Sequence, residues 1–521
     1  MNNERDIFLT HTADFCERIY LSAQPDERPE LLESAKAKAA ELGCKDEFER
    51  RFSEKLRTES KLNLLTVLDP LSYSFTDRGT SELFAKLYRN ELRFCTTAKE
   101  WYHYTGTIWE KDSGGMAAHS LAKEFFDLLI RYSVEISDED ERRRFYNYYC
   151  KFGSKNKRDV LIRDSADCLC ISGEDFDRSL KLLNCQNGTL ELDSMRFREH
   201  RPEDMITKIS NVIYDEKSKS EQWEQFISEV LPRDREKQRF LQKALGYALT
   251  GEANLERFFI LYGATTRNGK STLLSAIAHA LGDYSANTPP ETLAIKKKDS
   301  RNASEDLARL AGVRFLNVSE PPQNMAFDVA LLKSLTGGDT ITARRLFENS
   351  FEYVPQFTLF VNTNYLPKVT DDTLFTSNRI NVVTFDRHFS PQEQDTSLKQ
   401  KFRTPENVSG IFNWLLEGLR LYRIEGLTPP LSVNIAIRQY AQNSDKFQLF
   451  ADDVLEEDSN GAVTAKEAYN AYREWCSSNG YFAEAKGKFM DSLRKRNLLS
   501  PTGTIDGKTV HNVINGYILA N

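Results

Sequence analysis

Short apolar runs that each stop at a polar residue dominate the middle of the chain. Phe258 to Tyr262 (FFILY) is almost wholly apolar, as a strand buried on both faces requires. After a short loop, Leu273, Leu274, Ile277 and Leu281 recur at helical spacing. Three more strand-like runs follow, VRFLNVSE (Val313 to Glu320), FTLFVNTN (Phe357 to Asn364) and INVVTF (Ile380 to Phe385). Such runs, placed beside one another, predict an α/β core around a parallel sheet. Between the first and second of them, Thr340 to Arg344 and Phe351 to Val354 have strand character, with a hairpin tip between.

The flanks read differently. Residues 1–75 have patchy helical periodicity and no motif. Trp101, Tyr102, Tyr104 and Trp109 flank Thr105-Gly106, which predicts a hairpin with aromatic cross-strand pairs, either packed core or a base-stacking platform. Near the C-terminus, acidic ADDVLEED (Ala451 to Asp458) reads as a linker edge. Thr464 and Glu467 then form a capping-box pattern, and a second helix is expected over about Lys486 to Asn497. Asp506-Gly507 marks a tight hairpin between PTGTI and KTVHNVI. Helix, helix and hairpin are the outline of a winged helix.

Composition narrows the classes. A chain of 521 residues is too long for one core, so roughly two to four domains are expected. No run reaches membrane-span length and the start MNNERD is polar, so an intracellular, cytoplasmic setting, in a bacterial host, is expected. The 8 cysteines are scattered without zinc-site spacing, as structural thiols would be. A net charge of −7 gives no global argument for nucleic-acid binding, so any DNA contact must come from local basic surfaces. One such surface is the segment from Gly461 onward, with 8 Lys/Arg against 5 Asp/Glu; Lys486, Lys488, Arg494, Lys495 and Arg496 lie on its second helix. It suits DNA or a docking protein. Lys296 to Arg301 (KKKDSR) reads as a flexible loop. Two Asp-x-Asp pairs, in SDEDERRR (Ser137 to Arg144) and EDFDR (Glu174 to Arg178), sit in polar, helix-like surroundings and read as solvated faces rather than a polymerising metal centre.

The chemistry concentrates at LYGATTRNGKST, Leu261 to Thr272. A loop joining a buried strand to a helix N-terminus offers unpaired N–H groups and the positive end of the helix dipole to an anion. Gly263, Asn268, Gly269, Lys270, Ser271 and Thr272 are the candidate phosphate-binding residues. Gly269 allows close backbone approach, Lys270 reaches the β and γ phosphates, and the Ser271 hydroxyl is placed to ligate Mg²⁺. Five residues separate Gly263 from Gly269 where the general pattern has four. Glu320, at a neighbouring strand end, can hold Mg²⁺ or polarise water; Asn364 can orient that water or sense the γ-phosphate. Arg379, just before the last strand, is a candidate to reach a neighbouring subunit's γ-phosphate. Arg344 and Arg345 sit near the hairpin tip, either solvated or touching a phosphate backbone.

These residues, in this order, resemble the superfamily 3 helicases, most closely the helicase part of phage and plasmid primase-helicases, relatives of the poxvirus primase-helicase. WYHYTGTIWEKD (Trp101 to Asp112), LLNCQNGTLELD (Leu182 to Asp193), LGYALTG (Leu245 to Gly251) and LTGGDTITARRLFENSFEYVP carry the resemblance beyond the loop. It covers roughly Phe75 to the C-terminus. It implies an AAA+ (P-loop NTPase) core, with an α+β N-terminal region and a C-terminal winged-helix domain. Lys270 and Ser271 would carry ATP and Mg²⁺, Glu320 the acidic Walker B role, Asn364 the sensor role and Arg379 the finger. It further implies a homo-oligomer, a hexameric ring, whose hairpins move single-stranded DNA, with origin DNA and replication proteins as partners and no membrane.

The expected domains are 1–75 helical, 76–215 α+β, 216–250 a helical linker or collar, 251–390 the ATPase core, 391–458 a helical segment and linker, and 459–521 the winged helix. Two departures from the family pattern stand out. The acidic motif offers Glu320 alone where several members have two acids, and LFTSNRI has one Arg where relatives often have two. Built-in primer synthesis, or an ATP-switched origin-binding initiator that does not unwind, remain alternatives.

Overall fold

The computed structural model describes residues 2–520 apart from 25, 296–304, 324, 345–349, 370, 372, 480, 482 and 506. The chain divides into two units, Met1–Ser179 with His200–Lys208, and Leu180–Glu199 with Ile209–Asn521.

In the first unit, amphipathic helices surround a small sheet. Helix Asp77–Tyr88 starts where the Thr76 side chain accepts a bond from Gly79 N. It buries Leu83, Phe84 and Leu87 against Phe125 and Leu129 of helix Met116–Tyr132. Strands β1 (Leu92–Cys95), β2 (Glu100–Tyr104), β3 (Trp109–Lys111) and β4 (Cys170–Ile171) form a sheet ordered β3-β2-β1-β4 among the described residues.

The expected boundary near residue 75 is not a break in packing. Leu65, on helix Lys45–Leu68, shares one apolar core with Leu83 and Phe125. The aromatic hairpin is core as well. Trp109 is 1% exposed and its Nε1 donates to Pro202 O at 2.8 Å, while Tyr102 packs on Phe176 with ring centroids 4.6 Å apart. Three of the four Asp-x-Asp carboxylates serve local structure: Asp138 caps helix Glu139–Tyr149, Asp175 accepts from Ser172 N, and Asp177 accepts from Thr207 N, while Asp140 is exposed.

The second unit opens with the antiparallel strands β5 (Leu182–Cys185), β6 (Gly188–Glu191) and β7 (Arg196–Arg198). Its centre is a five-stranded sheet among the described residues, made of β8 (Phe258–Tyr262), β9 (Ser285–Thr288), β10 (Phe315–Ser319), β13 (Thr358–Thr363) and β14 (Ile380–Thr384). Strands β11 (Ile341–Arg344) and β12 (Ser350–Tyr353) pair as a separate antiparallel hairpin. The central order is β14-β8-β13-β10-β9, and every neighbouring pair is parallel. Phe259 and Phe360 stack face to face at 5.1 Å on one side of it.

Helices Glu221–Val230 and Arg235–Tyr247 are not a free linker or collar. Phe226, Phe240 and Leu241 are buried in the same core as Phe259, Phe360 and helix Pro405–Glu425. Strand β9 is a short, mostly polar edge segment with no apolar alternation to announce it.

The C-terminal part also starts earlier than its acidic run suggests. Residues 451–458 are not a linker. They complete helix Lys446–Val454 and begin strand β15 (Leu455–Thr464). Helices Ala465–Ser478 and Lys486–Lys495 and strands β16 (Ser500–Ile505) and β17 (Lys508–Leu519) follow, with sheet order β15-β17-β16. Phe447 and Phe450 of the first helix pack with Tyr472 and Phe489, so the core that would hold strand and helices together needs that helix.

Candidate active site

Parallel pairing brings the ends of three strands to one edge. Register sets Tyr262 beside Thr363 and Thr384, and Asn362 beside both Leu261 and Ser319. The residues that follow, Gly263, Asn364 and Glu320, are therefore neighbours at the carboxyl end of the sheet, the end at which open α/β sheets bind ligands.

The loop from Gly263 to Gly269 leads directly into helix Lys270–Leu281. Gly269 has φ +85°, and a Cβ there would lie 2.3 Å from Val230 Cγ1, so glycine is required on both backbone and steric grounds. At Gly263 a Cβ would meet Asn268 Nδ2 at 2.1 Å and Lys270 Nζ at 2.9 Å.

The longer loop is tied down rather than slack. Asn268 Nδ2 donates to Thr265 O at 2.6 Å, Phe389 N donates to Arg267 O at 3.0 Å, and His388 Nδ1 lies 2.9 Å from Thr266 O. These bonds hold three successive loop carbonyls.

Lys270 is 4% exposed, and its Nζ donates to Asn268 Oδ1 and to Asn364 Oδ1, each at 2.9 Å. The sequence-predicted lysine and sensor amide are thus in direct contact. Burial lowers the Lys270 ammonium to about 8, and the Glu320 charge opposes that shift. Asn362 Nδ2 donates to Ser271 Oγ at 3.1 Å, and Glu320 N donates to Asn362 O at 2.8 Å. Ser271 and Glu320 are both exposed, while Thr272 is half-buried.

Their hydroxyl and carboxylate oxygens are hard donors of the kind Mg²⁺ takes, and two protein ligands completed by phosphates are its usual arrangement. No cluster of three or more His, Cys, Asp or Glu that could hold a metal by itself occurs among the described residues.

A cavity of about 450 Å³ opens beside the loop, lined by Phe226, Arg267, Gly269, Thr272, Phe389 and Gln394 among others. It has two aromatic rings, several amides, and the first turn of helix Lys270–Leu281. The sequence reading missed Asn362, the 386–389 segment and helix Glu221–Val230. Asn362 alone left a signal, as an amide inside a fully buried strand.

Arg379 is elsewhere. Its carbonyl accepts from Phe258 N, at the start of β8, so the strand's length, about 16 Å at ~3.3 Å per residue, separates it from Gly263. Its guanidinium pairs with Glu256 and donates to Thr336 Oγ1 at 3.0 Å. The structure does not place it at the phosphate loop of its own chain.

Arg344 is exposed at the end of β11, while Arg345 and the KKKDSR stretch lie outside the described residues, as does Asp506 of the C-terminal turn. Lys486, Lys488, Arg494 and Lys495 are exposed. Arg496 differs: it is half-buried, paired with Asp445, and lies over the Phe447 ring at 4.6 Å. Its charge serves packing inside the C-terminal part.

Comparison with known proteins adds two partial matches to family models and several viral relatives. Residues 81–232 match the profile "D5 N terminal like", and residues 261–379 match "Family of unknown function (DUF5906)". "Putative helicase L207/L206" of Acanthamoeba polyphaga mimivirus is 29% identical over 439 residues, covering 76% of this chain and 45% of that protein. The chain is thus similar, over three quarters of its length, to a putative viral helicase. "Putative helicase 022R" of Frog virus 3 is 28% identical over 291 residues, 51% of this chain and 29% of its own length. The chain thus spans less than half the length of these two viral relatives. A solved structure, the apo form of the NrS-1 C terminal region, has a TM-score of 0.47 at 11% identity, covering 82% of this chain and 96% of that one. No helix among the described residues is long and apolar enough to cross a membrane.

Proposed function

We propose that this chain is the ATP-driven motor of a viral or mobile-element replication helicase, a superfamily 3 AAA+ ATPase that works as a homo-oligomeric, hexameric ring on single-stranded DNA. One observation carries the reading: the Lys270 ammonium is held between Asn268 and Asn364 at a parallel-sheet edge, beside Ser271 and Glu320.

In this reading the loop N–H groups and Lys270 bind the β and γ phosphates of ATP. Asn364, released from Lys270 as the phosphates take over that cation, orients the attacking water with Glu320 as its base. Mg²⁺, held by Ser271 and Glu320, would supply charge neutralisation on the phosphates. The cavity lined by Phe226 and Phe389 has the size and lining to take the base and ribose, with Gln394 available to a base edge.

Arg379 acts on a neighbouring subunit, which agrees with its distance from its own loop. Arg344 and Arg345 touch the translocating strand. The C-terminal part, with its order helix, strand, helix, helix, strand, strand, is a winged helix that binds duplex or origin DNA through Lys486, Lys488, Arg494 and Lys495. Three of the four Asp-x-Asp carboxylates, Asp138, Asp175 and Asp177, are occupied as a cap and loop ties, which favours a motor over a second, primer-synthesising centre in this chain.

ATP turnover tests the reading. Wild-type protein should hydrolyse ATP faster when single-stranded DNA is added, and Lys270→Ala should abolish hydrolysis while leaving the circular-dichroism spectrum unchanged. Near wild-type turnover in Lys270→Ala would remove the phosphate-loop assignment.

A further inference from the structure

We propose that Asn362 is the positioning residue of the metal site, its side chain fixing Ser271 while its main chain ties the neighbouring Glu320 in place. The proposal rests on the reading of Leu261 to Thr272 as a Mg·ATP site. Asn362 is 3% exposed in a strand whose six residues are all buried, an unfavourable place for a carboxamide unless its polar atoms are used.

Its amide nitrogen is used on one candidate metal donor, and its main chain is bonded to the other. The side-chain Nδ2 donates to Ser271 Oγ at 3.1 Å, and the main-chain O accepts from Glu320 N at 2.8 Å. These donors come from different elements, the phosphate-loop helix and the end of β10. Asn362, on the strand between β8 and β10, is bonded to both.

Each bond has a defined effect. Glu320 has φ +54°, a left-handed conformation that residues other than glycine adopt rarely, and the bond from its N to Asn362 O holds it there. This fixes where the carboxylate starts. At Ser271, the amide N–H occupies one lone pair of the hydroxyl oxygen and sets its orientation, leaving the other lone pair for a cation. Groups that orient metal ligands in this way typically alter metal affinity about 10–100-fold when removed.

The test separates metal-dependent from metal-free binding in the full chain. The affinity of a fluorescent ATP analogue is measured in chelator and in saturating Mg²⁺, alongside the Mg²⁺ concentration giving half-maximal ATPase. Asn362→Leu, close in size and without a donor, should bind nucleotide in chelator within about twofold of wild type. It should lose about tenfold or more of the affinity gained with Mg²⁺ and need about tenfold more Mg²⁺ for turnover. Asn362→Val, a residue favoured in strands, makes the same test should the leucine variant not fold.

A double-mutant cycle isolates the route through Ser271. In a Ser271→Ala background, Asn362→Leu should cost much less of the Mg²⁺-dependent gain than it does in wild type. An unchanged Mg²⁺-dependent gain in folded Asn362→Leu or Asn362→Val, or full additivity with Ser271→Ala, overturns the proposal. Failure of wild type to bind nucleotide at all, or equal binding by Lys270→Ala, overturns instead the nucleotide reading beneath it.

Discussion

The lysine proposed to meet phosphates is kept, in this chain, in a pocket that disfavours its charge. Burial lowers Lys270 to about 8, and Glu320 only partly offsets that. The unfolded chain therefore binds the proton more tightly than the folded one, so this group destabilises the fold below about pH 8 and the penalty fades as pH rises toward the ordinary lysine value of about 10.4. Nucleotide binding runs the other way. Phosphates favour the protonated amine, so above about pH 8 binding must take up a proton and affinity should fall, by up to about tenfold per pH unit. Isothermal titration at pH 7 and 9, in two buffers of different ionisation enthalpy, should show proton uptake only at the higher pH. Uptake that is equal at both would refute the shift.

At the same scale, Gly269, Lys270 and Ser271 were legible from their spacing. Their partners were less so. Asn364 was visible as a strand-end amide, but its bond to Lys270 depends on strand register, which no local pattern encodes. Arg496 shows the converse: among basic neighbours it looked like a DNA contact, and only its fold neighbours Asp445 and Phe447 reveal its packing role.

Elements with strong periodicity were read closely. The strand Phe258–Tyr262 and the capping-box helix Ala465–Ser478 occur where the pattern puts them, with both capping bonds of Thr464 and Glu467 formed. Elements whose burial is set by distant partners were missed: edge strand β9 is polar, and acidic residues 451–458 hide a helix end and a strand start behind exposed charges.

One connection between elements has a testable consequence. Four residues after Asn364, Lys368 Nζ donates to Asn479 O at 3.3 Å and lies 4.2 Å over the Tyr481 ring, which stacks on Trp475. The strand-end amide and the C-terminal part are thus joined by one short segment, itself anchored where the Tyr440 hydroxyl donates to Pro367 O. Lys368→Ala should leave DNA-free ATPase within about twofold of wild type but reduce its stimulation by DNA about threefold or more, the size set by one cation–π contact of ~1 kcal/mol. Unchanged stimulation would mean the segment transmits nothing.

The hairpin β11–β12 gives a second element-scale outcome. Arg344→Ala should weaken single-strand binding and flatten its salt dependence, since each lost phosphate contact removes about 0.7 from the log–log slope. An unaltered slope would place Arg344 away from the strand.

For the whole molecule, the position of Arg379 is the most informative feature. It lies at the far end of β8 from its own loop, in an ion pair with Glu256. If it completes a neighbour's site, Arg379→Ala should keep nucleotide binding and assembly yet lower hydrolysis about a thousandfold. Mixing Arg379→Ala with Lys270→Ala subunits should then restore part of the activity, because an interface can pair an intact loop with an intact arginine. No rescue in confirmed mixed assemblies would make Arg379 a structural residue.

The division of the chain could not be read from composition. Residues 180–199 and 209–250 carry ordinary sequence but pack with the central sheet's unit, through Leu190, Phe226 and Phe240.

If ATP hydrolysis at the Gly263–Thr272 loop separates DNA strands, as proposed, strand displacement on a forked duplex will show it. Wild-type protein should displace the labelled strand with ATP and Mg²⁺, and neither Lys270→Ala nor wild type with a non-hydrolysable ATP analogue should do so. ATP-dependent assembly on the fork without displacement, by protein that hydrolyses ATP normally, would contradict the helicase account and leave an ATP-switched DNA-binding initiator in its place.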